Sequence, residues 1–355
     1  LALRGTIWAG DAAEPAPGVL VLDIGGRVVH YGPPDSIELR GDIPVLGDAT
    51  AWIGPGVVDA HVHLAFADVD TLLARGVVAV RDLGAPLADA RRWRTAHGGI
   101  PPHRPFVAVA GPLLTPPGGY PSRSWGSEGF ARFVEAPVRA RAEVQQLAID
   151  GVDVIKIALE PGPGWPVPDP TVVRAVVDAA HGAGLAVVAH ALRADMVARA
   201  LDAGVDELAH TPTERLPADL VERIAAAGIG VVSTLQTFHA EGHGRTVAAN
   251  AADLVAAGVE LRYGTDLGNT ATRPGVDARE LDRLAEAGLG RLGALRAATL
   301  CSARAPGLRR RLGVIERGRP AELAVLSADP VREPQAWGAP IAVVADGRVE
   351  RFRPA

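Results

Sequence analysis

Asp153-Val154-Ile155-Lys156-Ile157-Ala158-Leu159 is a continuous apolar run interrupted by one cation, and it starts two residues after Gly151 closes a helix-like segment. Glycine just past a helix end supplies a left-handed cap that other residues adopt only at a cost. The same junction, glycine and then an apolar run, recurs at Gly76-Val77, Gly184-Leu185, Gly204-Val205, Gly228-Ile229 and Gly258-Val259. Read as strands, the apolar runs are 53–62, 77–82, 105–110, 152–158, 185–190, 205–210, 229–234 and 259–265. They are continuous rather than alternating, as parallel strands covered on both faces require. The expected fold class is therefore α/β, a (β/α)8 TIM barrel over 53–313, although a doubly wound open sheet shares the local pattern.

The two ends have a different texture. Val19–Ile24 and Arg27–Gly32 flank Gly25-Gly26 and read as a β-hairpin. Glu322–Leu326 and Ile341–Val349 repeat that texture. Residues 1–52 and 314–355 are expected to pair into one small β-sandwich made from both termini.

Lys156 is the single lysine among 36 basic residues. Where composition has pushed cations so far toward arginine, a surviving amine suggests chemistry that a guanidinium cannot do. A buried lysine loses its proton readily, whereas arginine does not. A neutral amine can also capture carbon dioxide, and the resulting carbamate offers two anionic oxygens able to bridge two metal ions. From the residue alone, a lysine snorkelling from a strand end reads equally well.

A net charge of -5 and a pI near 6.1 carry no basic footprint for nucleic acid. Cys301 has no partner for an intrachain disulfide, and no apolar run is long enough to span a membrane. The expectation is a cytoplasmic protein acting on a small molecule, with no nucleic acid or membrane partner. A homo-oligomer is compatible with the sequence, and the start at Leu1 leaves a trimmed leader open.

If the barrel is right, chemistry belongs at the carboxyl ends of its strands. His61 and His63 are two apart at the end of the first strand, so their imidazoles share a face and can chelate one ion. His190 ends the fifth strand, His210 the sixth and Asp266 the eighth. Each alone reads as structural, but their convergence on one end of one barrel, together with Lys156, does not. The other histidines, His30, His97, His103, His181, His239 and His243, fall elsewhere.

With these residues in place, the chain resembles the amidohydrolase superfamily, in its branch with two metal ions bridged by a carboxylated lysine. The likeness runs from Pro55-Gly56 to His63 and through Val80–Gly84, Leu114–Gly119, Asp153–Lys156, Gly264–Asp266, Ala294–Thr299 and Gly313–Gly318. It is nearest to the Xaa-Pro dipeptidase (prolidase)-like and imidazolonepropionase-like members. A histidine commonly follows the Gly-Gly of the strand-3 loop in those relatives, and here the position is Tyr120.

The resemblance implies two divalent ions, zinc first among Zn, Mn, Co and Fe. His61, His63 and Asp266 would hold the buried one, His190 and His210 the exposed one, and carboxylated Lys156 would bridge them. It further implies amide hydrolysis by a hydroxide shared between the ions, with Asp266 as general base and then acid. Tyr120, Arg193, Gln236 and His239 are the candidate substrate contacts, with His243 and Arg245 behind them. Two alternatives stay open: a one-metal deaminase or cyclic-substrate (imidazolone or lactone) hydrolase with an unmodified lysine, and a catalytically silent scaffold.

Overall fold

The computed structural model describes residues 1–11, 13–94, 103–162, 164–308, 312–346 and 348–351. His97, Gly347 and residues 352–355 lie outside the described residues.

All six glycines at the helix-to-strand junctions sit at positive φ, between 66° and 83°. Each is followed by a short parallel strand. One parallel sheet runs Ala131–Phe133, Leu113–Thr115, Ile155–Leu159, Val187–Ala191, Glu207–Leu208, Gly230–Val232, Leu261–Arg262, in that spatial order. A second parallel sheet holds Val57–Val62, Val77–Asp82 and Phe106–Val109. Hydrogen bonds join the two sheets at both borders. Ala60 N donates to Tyr263 O, His63 N to Leu267 O and Asp266 N to His61 O, while Asp153 N donates to Val109 O.

One run read as a single strand is broken and another is followed by a further strand beyond its expected end, each for a local cause. The run 53–62 divides at Gly56 into Trp52–Pro55 and Val57–Val62. A Cβ at Gly56 would overlap the Val78 side chain, so only glycine lets the chain pass there. The third strand stops at Val109, and after Gly111 at φ 69° the chain resumes as Leu113–Thr115. That second piece pairs with both Ala131–Phe133 and Ile155–Leu159.

Helices Pro137–Asp150, Pro170–Gly182, Ala194–Ala203, Ala218–Ala227 and Gly244–Ala256 connect these strands. Ile155, Ile157 and Leu159 pack outward into the large core that the helices cover. Val154, Val188 and Ala209 belong instead to a small cluster with Leu83 and Ala110. Because side chains alternate along a strand, Lys156 falls on the face of Val154, and His190 on that of Val188.

The chain's two ends form one eight-stranded sheet. Its main path runs Arg348–Arg351, Ala342–Ala345, Leu323–Leu326, Trp52–Pro55, Ala2–Ile7, Ala16–Leu22, Val28–Gly32, with Val45–Leu46 beside Ala2–Ile7. The expected hairpin pairs Val19 with Gly32 and Val21 with His30. Asp23 Oδ1 closes its turn by accepting from Gly25 N and Arg27 N. Leu3, Ile7, Leu20, Ile53, Leu323 and Val344 share the apolar cluster of this unit. No described helix is long and apolar enough to cross a membrane.

Candidate metal centre

His61, His63 and Asp266 bring three ligand atoms together. His61 Nε2 and His63 Nε2 are 3.3 Å apart, and Asp266 Oδ1 lies 3.3 Å from each. A tetrahedral ion with bonds of about 2.0–2.1 Å spaces its ligands by roughly 3.3–3.4 Å. The triangle of donor atoms therefore already has the dimensions such an ion requires, and these three buried residues could hold one.

The imidazoles are locked in the tautomer that serves this purpose. His61 Nδ1 donates to Ala209 O at 2.9 Å and His63 Nδ1 to Gly84 O at 3.2 Å, which leaves both Nε2 lone pairs facing Asp266. Burial pulls the His61 pKa well below its usual range, with the Lys156 and His210 charges adding to the effect. Burial pulls the same way at His63, but the Asp266 carboxylate 3.3 Å away outweighs it and the net shift is upward.

Asp266 owes its position to the backbone. It is one of the few non-glycine residues at positive φ, 56°, and its N–H is held by His61 O. Behind it Asp59, buried, accepts from Thr265 Oγ1 at 2.6 Å, from Thr265 N and from His61 N. One carboxylate thus fixes the ends of the first and last strands together. Asp82 does the same one strand over, accepting from Leu64 N at 2.7 Å and Gly84 N at 3.1 Å.

Space around His63 is tight. A methyl group at Gly84 would lie 2.6 Å from Leu113 Cδ1 and 3.0 Å from His63 Cε1. Gly84→Ala is therefore expected to lower stability by about 1–3 kcal/mol and to displace the His63 ring. Thermal unfolding with and without added divalent metal checks this: the increase in Tm on metal addition should shrink in the variant.

A second pair of imidazoles faces the first. His190 Nδ1 and His210 Nε2 are 3.0 Å apart, and the His210 Nδ1 is held by Thr234 Oγ1 at 3.1 Å. Burial lowers the pKa of both, that of His210 well below the ordinary value. Neutral rings with free lone pairs are what metal ligation needs.

Lys156 is 1% exposed, and its Nζ makes no hydrogen bond. Burial brings its pKa down to about 7, Asp266 opposing and Arg81 reinforcing the effect. His190 Nε2 and Asp266 Oδ1 are likewise buried without a hydrogen bond. Orphaned buried polar atoms are costly in a finished core. Here they converge on one cavity of about 310 Å³, whose wall includes His61, His63, Lys156, His190, His210 and Asp266.

The candidate substrate contacts fare differently. Tyr120 lines the cavity, its ring stacked on His190 at 4.7 Å. Arg193 is exposed and turned to Asp195, and Gln236 is buried but accepts from Arg283 Nε at 2.8 Å. His239, His243 and Arg245 are exposed. None of these five is among the cavity-lining residues. His30 bonds Ser36, His103 pairs with Glu350 and His181 with Asp206, all away from the site. Glu160, Trp125, Trp165, Phe238 and Glu241 line the cavity without having been singled out. Glu160, directly after Leu159 at the end of the lysine strand, was the one that its position could have flagged.

Below the site, Glu207 is buried between Arg81 and Arg262 and bonds both. Arg81 also donates to Ala60 O and Pro306 O, which ties the strand before His61 to the strand that leads to His210.

The Amidohydrolase family model matches residues 52–349. An uncharacterized protein of Mycobacterium tuberculosis is 30% identical over 346 residues, covering 86% of this chain and 88% of its own. The structure resembles that of a Xaa-Pro dipeptidase with methionine bound in its active site, with a TM-score of 0.84, 21% identity and 99% of each chain covered. It also resembles a prolidase complexed with N-methylphosphonate-L-proline, with a TM-score of 0.82, 22% identity and 99% of each chain covered. At these identities the two structural likenesses speak for the fold, and the family match and the mycobacterial relative speak for descent: this chain belongs to the Amidohydrolase family.

Proposed function

We propose that this protein is a metal-dependent hydrolase that cleaves an amide C–N bond in a small molecule. The observation that carries the reading is the 3.3 Å triangle of His61 Nε2, His63 Nε2 and Asp266 Oδ1, facing the unbonded Lys156 amine. In this reading the two parallel sheets close as a (β/α)8 barrel that begins at Val57 and not at residue 53, and the sheet of the two ends, Trp52–Pro55 included, makes the terminal β-sandwich. The hydrogen bonds at both sheet borders support closure.

His61, His63 and Asp266 would hold one divalent ion and His190 with His210 a second, zinc being the first choice for such donors. Lys156, uncharged once its proton is lost, forms an N–C bond to carbon dioxide with release of a proton, and the resulting carboxylate would serve both ions. When bound, the ions would supply Lewis-acid activation of water and of the scissile carbonyl. Asp266 accepts the proton from the attacking water and delivers it to the leaving nitrogen. Asp59 and the His61 backbone hold Asp266 in register for that transfer, and the Tyr120 and Trp125 rings shield the reacting atoms from bulk water.

If the Lys156 amine stays free, the triad of His61, His63 and Asp266 is the complete ligand set, and the same cavity would suit a one-metal deaminase. Metal-loaded protein offered dipeptides, N-acyl amino acids, cyclic amides and lactones is expected to hydrolyse an amide. A chelator should abolish turnover and added divalent metal restore it. Full activity after exhaustive chelation would overturn the reading, and ammonia release from an amidine with one ion per chain would favour the deaminase.

A further inference from the structure

We infer that the substrate is an aromatic amide whose far end carries an ammonium group and not a carboxylate. The inference rests on the hydrolase reading above and concerns what else the same cavity recognises.

Aromatic residues are scarce in this chain, 4% of the total. Yet Tyr120, Trp125, Trp165 and Phe238 all line this one cavity. They are braced in place: Trp125 Nε1 donates to Tyr120 Oη at 2.9 Å, and Tyr120 meets Trp165 at 5.3 Å between ring centroids. Tyr120 stacks on His190, Trp125 meets His63 at 5.1 Å and Phe238 meets His210 at 5.2 Å. Aromatic rings therefore run from one pair of candidate ligands to the other, forming an apolar wall that fits a flat group.

The charges around that wall have one sign. Among the described residues, the lining residues with formal charge apart from the candidate metal ligands are Glu160 and Glu241. Glu160 Oε2 is buried without a hydrogen bond, 3.5 Å from His190 Nε2. Lys156 Nζ, His190 Nε2 and Asp266 Oδ1, in side chains more than nine-tenths buried, belong to residues lining the same space and make no hydrogen bond. Among the described residues no arginine lines the cavity, although nearly all of the chain's 36 basic residues are arginines. A substrate carboxylate is usually met by the fork of an arginine, and here it would meet two glutamates instead. An ammonium group gains both from those carboxylates and from the ring faces.

The test is direct binding, by calorimetry on the metal-loaded protein, of three ligands of similar size: 4-acetamidobenzylamine, 4-methylacetanilide and 4-acetamidobenzoate. The expected order of affinity is cation, neutral, anion, with about tenfold or more between the first and last. In Glu241→Gln, and further in Glu160→Gln/Glu241→Gln, that gap should narrow to about threefold or less. If the double variant fails to fold, Glu241→Gln alone still has to narrow it. An anion that binds as tightly as the cation, a gap unchanged in Glu241→Gln, or no binding of any of the three at millimolar concentration would overturn the inference. Hydrolysis is read separately on the same compounds: the expected binding order without amide cleavage would sink the hydrolase reading and leave the charge preference standing.

Discussion

Lys156→Arg should lose at least about a thousandfold in kcat/KM while remaining folded. The substitution keeps a long cationic side chain on the same strand, so a lysine that merely neutralised its surroundings would tolerate it. Two properties are lost, however. A guanidinium does not give up its proton in a protein, whereas burial brings the Lys156 pKa to about 7. Nor can it take up carbon dioxide to become an anion. Arginine would instead direct a fixed positive charge at His61, His190 and His210, whose low pKa values already reflect the burial and charge around them. Metal content should fall with the rate. Lys156→Ala should lose activity as well, and partial rescue by added acetate or propionate, carboxylates small enough for the vacated space, would distinguish a missing ligand from a damaged fold. Turnover within about tenfold of the parent in Lys156→Arg would show that the amine is not chemically required.

Asp266→Asn should lower kcat by about a hundredfold to ten-thousandfold, the range expected when a positioned acid–base group is removed. Asparagine is the informative replacement because the residue sits at φ 56°, a conformation that Asn adopts about as readily as Asp. The Asp266 N–H to His61 O bond and the turn that follows should therefore survive. What disappears is the charge 3.3 Å from both imidazoles, together with the ability to carry a proton. Steady-state kinetics with the variant at saturating metal checks this. A drop confined to KM would mean that Asp266 binds substrate and leaves the proton to another group.

Much of this was legible in the residues. The glycine-to-strand junctions set the parallel architecture because a left-handed cap is a local property, and all six glycines adopt it. The single lysine and the strand-end histidines were legible because strand periodicity fixes which side chains share a face. Contacts made by loops were not. Arg193 follows His190 by three residues, yet it opens a helix and turns outward to Asp195. Nearness in sequence is not nearness in space once the strand has ended. Trp125 and Trp165 reach the cavity from long connections with no periodicity to read. Asp59 and Asp82, buried beneath the ligands, have the same sequence context as ordinary strand-end carboxylates, and only their bonds to Thr265 and to Leu64 and Gly84 reveal what they hold.

The most direct test of the dinuclear centre is the metal content of the purified, bicarbonate-equilibrated protein beside that of Lys156→Ala. About two divalent ions per chain, falling to one or none when the amine is removed, is the result this account predicts. A single ion per chain in both proteins would contradict it.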